Sequence, residues 1–246
     1  MASFPESIVR VRQFKAEDEQ IVQHLFTVGI GYGVGSTRHH VLRASLTRPN
    51  SLIAYFLCAI GLSVGLFSRD ASQRLLGAFI SAASTLFFVV HRRALSRMML
   101  KHADNRNHSD MHNVYSHYKI ASNGPDNFWV AELVNKRETS GRVVGCVGLD
   151  TSPIPGDGTA ELRRMAVDPT VRGRGIGKLL IQAAIDHAKT HRVTTIWLTT
   201  SGHQTVATGL YEKFGWKRLS TRSRLASPNK FADWVDVRLV DFVLTL

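Results

Sequence analysis

Cysteine is scarce in this chain of 246 residues. The two that occur, Cys58 and Cys146, exclude a framework of several disulfides and favour a reducing compartment. No C-x-x-C pair and no clustered His/Cys spacing is present, which argues against a structural zinc site. The first 19 residues are polar and carry Glu6, Arg10, Arg12 and Lys15, so no secretory signal peptide is predicted there.

Charge is missing from two long stretches that follow one another. Residues 51–68 and 75–90 are uncharged, and as helices they would span roughly 27 and 24 Å, against about 30 Å of bilayer hydrocarbon. Basic residues flank both outer ends: Arg38, Arg43 and Arg48 before, and Arg92, Arg93, Arg97 and Lys101 after. This pattern predicts a membrane hairpin or re-entrant pair whose two ends face the cytosol. The alternative is a pair of buried helices in a soluble core.

The formal net charge is +12, which fits a nucleic acid, an anionic membrane or a polyanionic ligand. The charge clusters beside the apolar runs and at a glycine-rich turn, and no nucleic-acid module is recognised. We therefore expect only weak, salt-labile DNA binding and no specific nucleic-acid partner. Residues 101–127 are polar and contain His102, His108, His112 and His117. Their spacing fits no common metal site, so we predict a solvated helix or connector and no metal.

The remaining segments alternate between strand and helix patterns, as expected of an α/β fold. Strands are predicted for residues 8–14, 128–133, 142–149, 160–167, 194–199, 216–219 and 234–246. Helices are predicted for 15–29, from Gly175 onward and for 204–214. We expect a single domain, 1–246, with a first strand and helix (1–35), an inserted hairpin (51–90) and a core (128–246).

A glycine-rich turn leads from a strand into a helix within residues 165–177. Such a turn directs several backbone N–H groups at one point, at the positive end of the helix dipole, and so forms an anion site. Gly173, Gly175 and Gly177 allow close approach of a pyrophosphate, and Arg172, Arg174 and Lys178 add positive charge. The spacing matches neither the Walker A loop nor the dinucleotide-binding fingerprint.

This turn resembles that of the GCN5-related N-acetyltransferase superfamily, because Arg172-Gly-Arg-Gly175-Ile-Gly177 fits R/Q-x-x-G-x-G/A. Residues 204–216 resemble the family's N-x-x-A-x-x-x-Y-x-x-x-G-F/Y, with Gln204 replacing Asn and Trp216 replacing Phe or Tyr. The order of strand, helix, apolar hairpin, F-W-V-A-E and V-V-G-x-V-G is similar to the camello-like membrane branch. That branch includes cysteine S-conjugate and aspartate N-acetyltransferases. The resemblance implies a mixed, twisted α/β sheet with an inserted membrane hairpin.

The resemblance also implies acetyl-CoA as co-substrate and direct transfer of its acetyl group to an amine. The implied coenzyme-binding residues are Met165, Ala166, Val167, Arg172, Gly173, Arg174, Gly175, Ile176, Gly177, Lys178 and Gln204. Tyr211 is the candidate acid for the departing thiolate, and Glu161 is the candidate base. Direct transfer needs no covalent intermediate, so Cys146 is expected to be a core residue.

Each of these side chains also has a purely structural interpretation. Tyr211 could be a half-buried aromatic residue of an amphipathic helix, and Glu161 could pair with Arg163. Arg163 and Arg164 are expected on opposite faces of a strand, where one could bind an acidic acceptor. Surface charge or an ion pair is the alternative for both arginines.

These observations predict a membrane-associated, acetyl-CoA-dependent N-acetyltransferase. The expected acceptor is the amine of an amino acid or of an amino-acid conjugate, such as an S-substituted cysteine or an aspartate-like molecule. The alternatives are a protein-lysine N-acetyltransferase and a non-catalytic acyl-CoA-binding membrane protein. The resemblance favours the endoplasmic reticulum membrane, with the catalytic domain facing the cytosol.

Overall fold

The computed structural model describes residues 7–135, 141–153, 158–223 and 238–246. Its strands form a mixed seven-stranded sheet in the order β1-β2-β3-β4-β5-β7-β6. Among the described strands, only β4 and β5 pair in parallel, and the other neighbours are antiparallel. The strands are β1 (Ser7–Gln13), β2 (Asn127–Asn135), β3 (Arg142–Asp150), β4 (Thr159–Val167), β5 (Thr195–Ser201), β6 (Lys217–Ser223) and β7 (Arg238–Thr245). The mixed α/β sheet agrees with the fold predicted from the sequence.

Helices cover both faces of the sheet. They are α1 (Glu19–Gly31), α2 (Thr37–Ala44), α3 (Pro49–Phe67), α4 (Ala71–Ala103), α5 (Val114–His117), α6 (Ile176–Thr190) and α7 (Thr205–Lys213). Helix α6 packs through Leu180 and Ala184 against one face, while α1 packs against the other beside Phe128 and Cys146. Cys146 is fully buried, as expected of a core residue.

The histidine-rich segment differs from its predicted form. Helix α4 extends through the first residues of 101–127, and Met111, Val114 and Tyr118 are completely buried. These three side chains join the core beneath α1, where the Tyr118 ring packs edge-on against Phe128. The prediction of a solvated connector is therefore wrong, because a few apolar residues in this polar segment complete one face of the sheet.

The boundaries of the last two predicted strands also change. Strand β6 continues to Ser223, beyond the predicted end at residue 219, and pairs with β7 along its length. The last predicted strand begins at Arg238 in the structure, and residues 234–237 lie outside the described part.

Helices α3 and α4 form the predicted hairpin, but the break between them is shorter than the predicted 69–74. It comprises only residues 68–70, because the Asp70 side chain accepts a hydrogen bond from the Ser72 N–H and caps α4. The helices approach closely at glycines: a Cβ at Gly77 would lie within 3 Å of backbone atoms of Gly61 and Gly65. Bulky side chains are excluded from this contact.

The outer surface of the hairpin is apolar. Both helices are long and apolar enough to cross a membrane by length and composition, and only 17% of each apolar window is buried. Exposed large side chains include Leu52, Ile53, Phe56, Leu66, Phe67, Leu75, Phe79 and Leu86. The hairpin is therefore not a pair of buried core helices.

The second half of α4 packs against the sheet-bearing part of the molecule. Leu95 and Met99 pack against Val41 of α2, and Ala103 is buried beside Gly31 of α1. A single continuous helix of 33 residues thus connects the apolar hairpin to the sheet-bearing part of the molecule.

We predict that a Thr85→Cys variant forms an internal disulfide with Cys58, because the Cys58 Sγ lies 3.7 Å from the Thr85 Oγ1 across the hairpin. Peptide mass spectrometry after mild oxidation of the folded protein would detect the linked pair. Leu86→Cys is the matched control, since Leu86 is the next residue and is exposed. Equal linkage in both variants would contradict the packing of α3 on α4.

Candidate active site

A groove opens where β4 and β5 separate. The two strands pair only over residues 159–161 and 195–197, after which β4 diverges. The β3–β4 register shifts nearby, and Arg164 has a left-handed backbone (φ 54°). The groove between the strands is lined by residues of β4, the glycine-rich turn, β5, α1, α2, α4 and α7. A ligand in this gap could use the unpaired main-chain groups of β4.

The glycine-rich turn forms one end of this groove. Gly173 and Gly175 have φ angles of 83° and 77°, a left-handed conformation that favours glycine. Gly175 is the N-cap of α6 and has no side chain to accept the first N–H groups of the helix. A Cβ at either glycine would meet nothing within 4 Å. The turn therefore presents the N-terminus of α6 to open space, where an anion can bind.

Most of the predicted coenzyme-binding residues lie together. Those that line the groove are Met165, Ala166, Val167, Arg172, Gly173, Gly175, Ile176, Gly177, Lys178 and Gln204. Arg174 is exposed and is not part of this lining. The fold therefore brings residues from three separate segments to one gap. The roles of these residues in coenzyme binding stay predictions.

Helix α2 also contributes to the groove, which the sequence did not indicate. The Arg172 guanidinium donates to the Gly35 carbonyl at 2.9 Å and to the Val167 carbonyl at 3.2 Å. The Gln204 side-chain amide donates to the Thr37 hydroxyl. The start of α2 therefore links the glycine-rich turn to α7. No local motif marks Gly35 or Thr37, because both contacts join residues more than 130 positions apart.

Tyr211 lies on α7 with its ring almost fully buried beside the groove. Its phenol donates a hydrogen bond to the Met165 sulfur at 3.5 Å, and a thioether is a weak acceptor. Burial raises the pKa of Tyr211 above its ordinary value. The phenol therefore stays protonated at neutral pH and is available as a proton donor.

Glu161 lies at the point where β4 and β5 begin to separate. Its carboxylate is 3.4 Å from the Arg163 Nε, so the ion pair considered as its structural role is present. Burial raises the pKa of Glu161, although the positive charge of Arg163 opposes the shift. A carboxylate with a raised pKa beside a groove is suited to accept a proton near neutral pH.

Arg163 and Arg164 do not act from opposite faces of β4, so that prediction is wrong. Arg164 binds both carboxylate oxygens of Asp110, at 2.6 and 2.7 Å. Arg163 pairs with Asp150 at 2.7 Å and reaches to 3.9 Å from Asp110. The left-handed backbone at Arg164 interrupts the alternation of a regular strand and turns both guanidinium groups towards Asp110.

Asp110 is the main residue of this site that the sequence did not reveal. It is 1% exposed and also accepts a hydrogen bond from the Tyr118 hydroxyl at 3.0 Å. Burial alone would raise the pKa of Asp110, but hydrogen bonding and positive charge from Arg164 hold it at about 2. Asp110 lies in the histidine-rich segment, where no charge pattern distinguishes it from its neighbours.

The groove also brings Arg164 together with aromatic and histidine side chains. The guanidinium carbon of Arg164 lies 4.8 Å from the centre of the Phe26 ring. Its Nη2 is 3.3 Å from the His108 Nδ1, while the His108 Nε2 is 2.7 Å from the His102 carbonyl oxygen. No cluster of three or more metal-ligating side chains occurs among the described residues.

Comparison with known proteins identifies the family of this chain. Its residues 93–216, which make up half of the chain, match the Acetyltransferase (GNAT) family. The chain therefore belongs to this family, and its sheet-bearing domain is that of an acyltransferase. A GNAT-family acetyltransferase from Staphylococcus aureus Mu50 has the same fold, with a TM-score of 0.52, 16% identity and coverage of 97% of this chain and 99% of that structure.

Two relatives place the chain within the family. It is 28% identical to the human N-acetylaspartate synthetase, an alignment that covers 89% of this chain and 66% of the relative. It is also 28% identical to the probable N-acetyltransferase camello of Xenopus tropicalis, over 85% of this chain and 86% of the relative. The predicted membership of the camello-like branch is confirmed. The chain spans about two thirds of the length of the human relative.

We predict that Asp110→Asn lowers the free energy of unfolding by about 3 kcal/mol, because it leaves the Arg164 guanidinium, whose side chain is only 10% exposed, without its counter-charge. Thermal unfolding across a pH series would measure this. Since the pKa of Asp110 is about 2, the stabilisation is present above pH 4 and is lost as the pH falls towards 2. The variant should therefore show the flatter dependence on pH in that range.

Asp104→Asn is the matched control, because Asp104 pairs with the exposed Arg106 on the protein surface. We expect no measurable loss of stability in that variant. Equal stability of Asp110→Asn and the unmodified chain would contradict the assigned ion pair.

Proposed function

We propose that this chain is an acetyl-CoA-dependent N-acetyltransferase anchored to a membrane. The observation that carries the proposal is the gap between β4 and β5, which ends at a glycine-rich turn and the uncapped N-terminus of α6. This combination offers backbone hydrogen bonds to an extended amide-bearing chain and a positive site for its diphosphate. Coenzyme A has both parts.

The coenzyme is held mainly by the backbone in this proposal. Main-chain groups of Met165, Ala166 and Val167 bind the pantetheine arm, and N–H groups from Gly173 to Lys178 bind the pyrophosphate. Lys178 and Arg172 supply positive charge at the groove. Gln204 provides a side-chain amide at the start of α7, although in the free protein it already donates to Thr37.

The chemistry is a direct transfer. The amine nitrogen attacks the thioester carbonyl, the C–N bond forms, the C–S bond breaks, and the coenzyme thiolate leaves. Glu161 accepts the proton of the amine, directly or through water, and the raised pKa of its carboxyl suits this role. Tyr211 protonates the thiolate, because its neutral phenol points into the groove and its hydrogen bond to the weakly accepting Met165 sulfur is readily exchanged.

The acceptor proposed is the amine of an amino acid or amino-acid conjugate. Arg163 and Arg164 lie in the groove near Glu161, and Arg163 keeps a quarter of its side-chain surface exposed. A carboxylate of the acceptor could therefore bind Arg163 while its amine approaches Glu161. The relatives named N-acetylaspartate synthetase favour an acidic amino acid, and the similarity to the camello-like branch keeps S-substituted cysteine as the alternative.

The membrane anchor in this proposal is the hairpin of α3 and α4. The two apolar helices expose large side chains, and their outer ends are rich in arginine. Both ends, and with them the groove, are proposed to face the cytosol at the endoplasmic reticulum. Residues 1–246 then act as one catalytic domain into which residues 51–90 are inserted.

We predict that Gly175→Val weakens acetyl-CoA binding at least tenfold, because valine strongly disfavours φ 77° and its side chain enters the anion site. Isothermal titration of the detergent-solubilised protein would measure the affinity. Gly33→Val is the matched control: Gly33 has φ 81° and an equally open Cβ position but does not line the groove. Unchanged affinity in Gly175→Val would contradict the assigned coenzyme site.

We predict that Tyr211→Phe lowers turnover about 100-fold and leaves acetyl-CoA affinity within threefold, because only protonation of the leaving thiolate is lost. Thiol release would be measured with aspartate, other free amino acids, S-substituted cysteines and lysine-containing peptides as acceptors. Saturation with one class of amino-acid acceptor tests the proposed function.

Tyr115→Phe is the control for this experiment, because Tyr115 is an exposed tyrosine outside the groove. Equal turnover of Tyr211→Phe and the unmodified chain would remove Tyr211 from the mechanism. Saturation with a lysine peptide alone would favour the protein-lysine alternative. Acetyl-CoA binding without thiol release from any acceptor would favour the non-catalytic one.

A further inference from the structure

The charged residues around the hairpin are almost all positive. Between Glu19 and Asp104 the sequence contains a single acidic residue, Asp70. The basic residues in the same interval are Arg38, Arg43, Arg48, Arg69, Arg74, Arg92, Arg93, Arg97 and Lys101. Nine basic residues against one acidic residue in the segment that contains the apolar helices favour contact with a polyanionic surface.

Some of these arginines have structural roles. Arg38 donates to the Ser96 hydroxyl at 2.9 Å, and Arg92 donates to the Leu42 carbonyl and the Ser45 hydroxyl, both at 2.9 Å. Together they fasten α2 to α4. Both guanidinium groups are hydrogen-bonded within the base of the hairpin, so they are not free to bind a partner.

Four other basic side chains form what we call the basic collar: Arg43, Arg93, Arg97 and Lys101, all exposed. The three on α4 are spaced four residues apart and lie on the side opposite the buried stripe of that helix. In the part of the chain that the structure describes, none of the four has a carboxylate within ion-pair distance.

The collar begins where the apolar surface ends. Val90 is the last exposed apolar residue of the uncharged run, and Arg93 follows about 4.5 Å farther along the same helix. The headgroup layer of a bilayer is about 5–8 Å thick on each side of the hydrocarbon. Long basic side chains can also extend along the helix towards that layer. With the hairpin in the bilayer, Arg93 therefore lies at the level of the lipid phosphates, and Arg97 and Lys101 follow about 6 and 12 Å farther along the helix.

We propose that the basic collar binds the headgroups of anionic phospholipids. This inference rests on the proposed insertion of the hairpin, and it adds a preference for the lipid that surrounds it. Each unpaired basic residue near an anionic bilayer strengthens the attraction, and the effect weakens with salt. The collar adjoins the apolar surface of α4 and not a second polar surface. A lipid is therefore a more suitable partner for the collar than a nucleic acid.

The test uses the full chain in a neutral detergent. Flotation with vesicles of phosphatidylcholine alone first establishes whether the hairpin inserts. The protein is then loaded from an equimolar mixture of phosphatidylserine and phosphatidylcholine, and the lipids that stay bound are counted by native mass spectrometry. We expect phosphatidylserine to be retained about tenfold over phosphatidylcholine at low salt, and the preference to fall at 0.5 M NaCl.

The variant Arg43→Gln, Arg93→Gln, Arg97→Gln should reduce this preference to less than twofold and still float with neutral vesicles. The matched control removes the same charge from three exposed positions away from the hairpin, with the substitutions Lys189→Gln, Arg192→Gln and Lys217→Gln. This control should keep the preference. A preference retained by the collar variant, or lost equally in the control, would overturn the proposal.

Flotation tests the insertion of the hairpin, and lipid retention tests the collar. Flotation with neutral vesicles but no preference for phosphatidylserine would refute the collar as a lipid site and leave the hairpin as an anchor. Absence of flotation would refute membrane insertion and the collar with it. Collar-dependent binding of duplex DNA at 150 mM salt, without a lipid preference, would assign the surface to a nucleic acid and would also overturn the proposal.

Discussion

The ion pair between Arg164 and Asp110 fixes the path of β4. Arg164 occupies a left-handed conformation that few non-glycine residues adopt, and a buried carboxylate holds its guanidinium through two hydrogen bonds. In this region the pairing of β4 with β3 shifts, and its pairing with β5 ends. The groove, the open main chain of β4 and the approach to the glycine-rich turn all follow from that separation.

The hairpin and the groove share structural elements. Helix α4 begins in the apolar hairpin and ends among residues that line the groove, where Met99 and His102 contribute to its wall. The start of α2 and the residues just before it connect the base of the hairpin to the groove, because Gly35 contacts Arg172 and Thr37 contacts Gln204. The proposed insertion of the hairpin would therefore also fix the orientation of the groove relative to the bilayer, because no flexible linker separates the two in the described chain.

Local sequence was sufficient for the turn and the helices beside it. Gly175 and Tyr211 lie where their motifs place them, because a strand, a turn and a helix are specified by neighbouring residues. Sequence reasoning failed where contacts join distant segments. Asp110 has no local signal, and its pairing with Arg164 spans 54 positions. The alternation rule misplaced Arg163 relative to Arg164, because a register shift in a strand cannot be inferred from its own residues.

Hydrogen–deuterium exchange with and without acetyl-CoA reports where the coenzyme binds. We expect slower exchange at the amides of residues 165–167 and 173–178, with little change in β1 and β2 at the far edge of the sheet. Protection confined to that far edge, or no protection of the turn at saturating acetyl-CoA, would contradict the assignment of the groove as the coenzyme site.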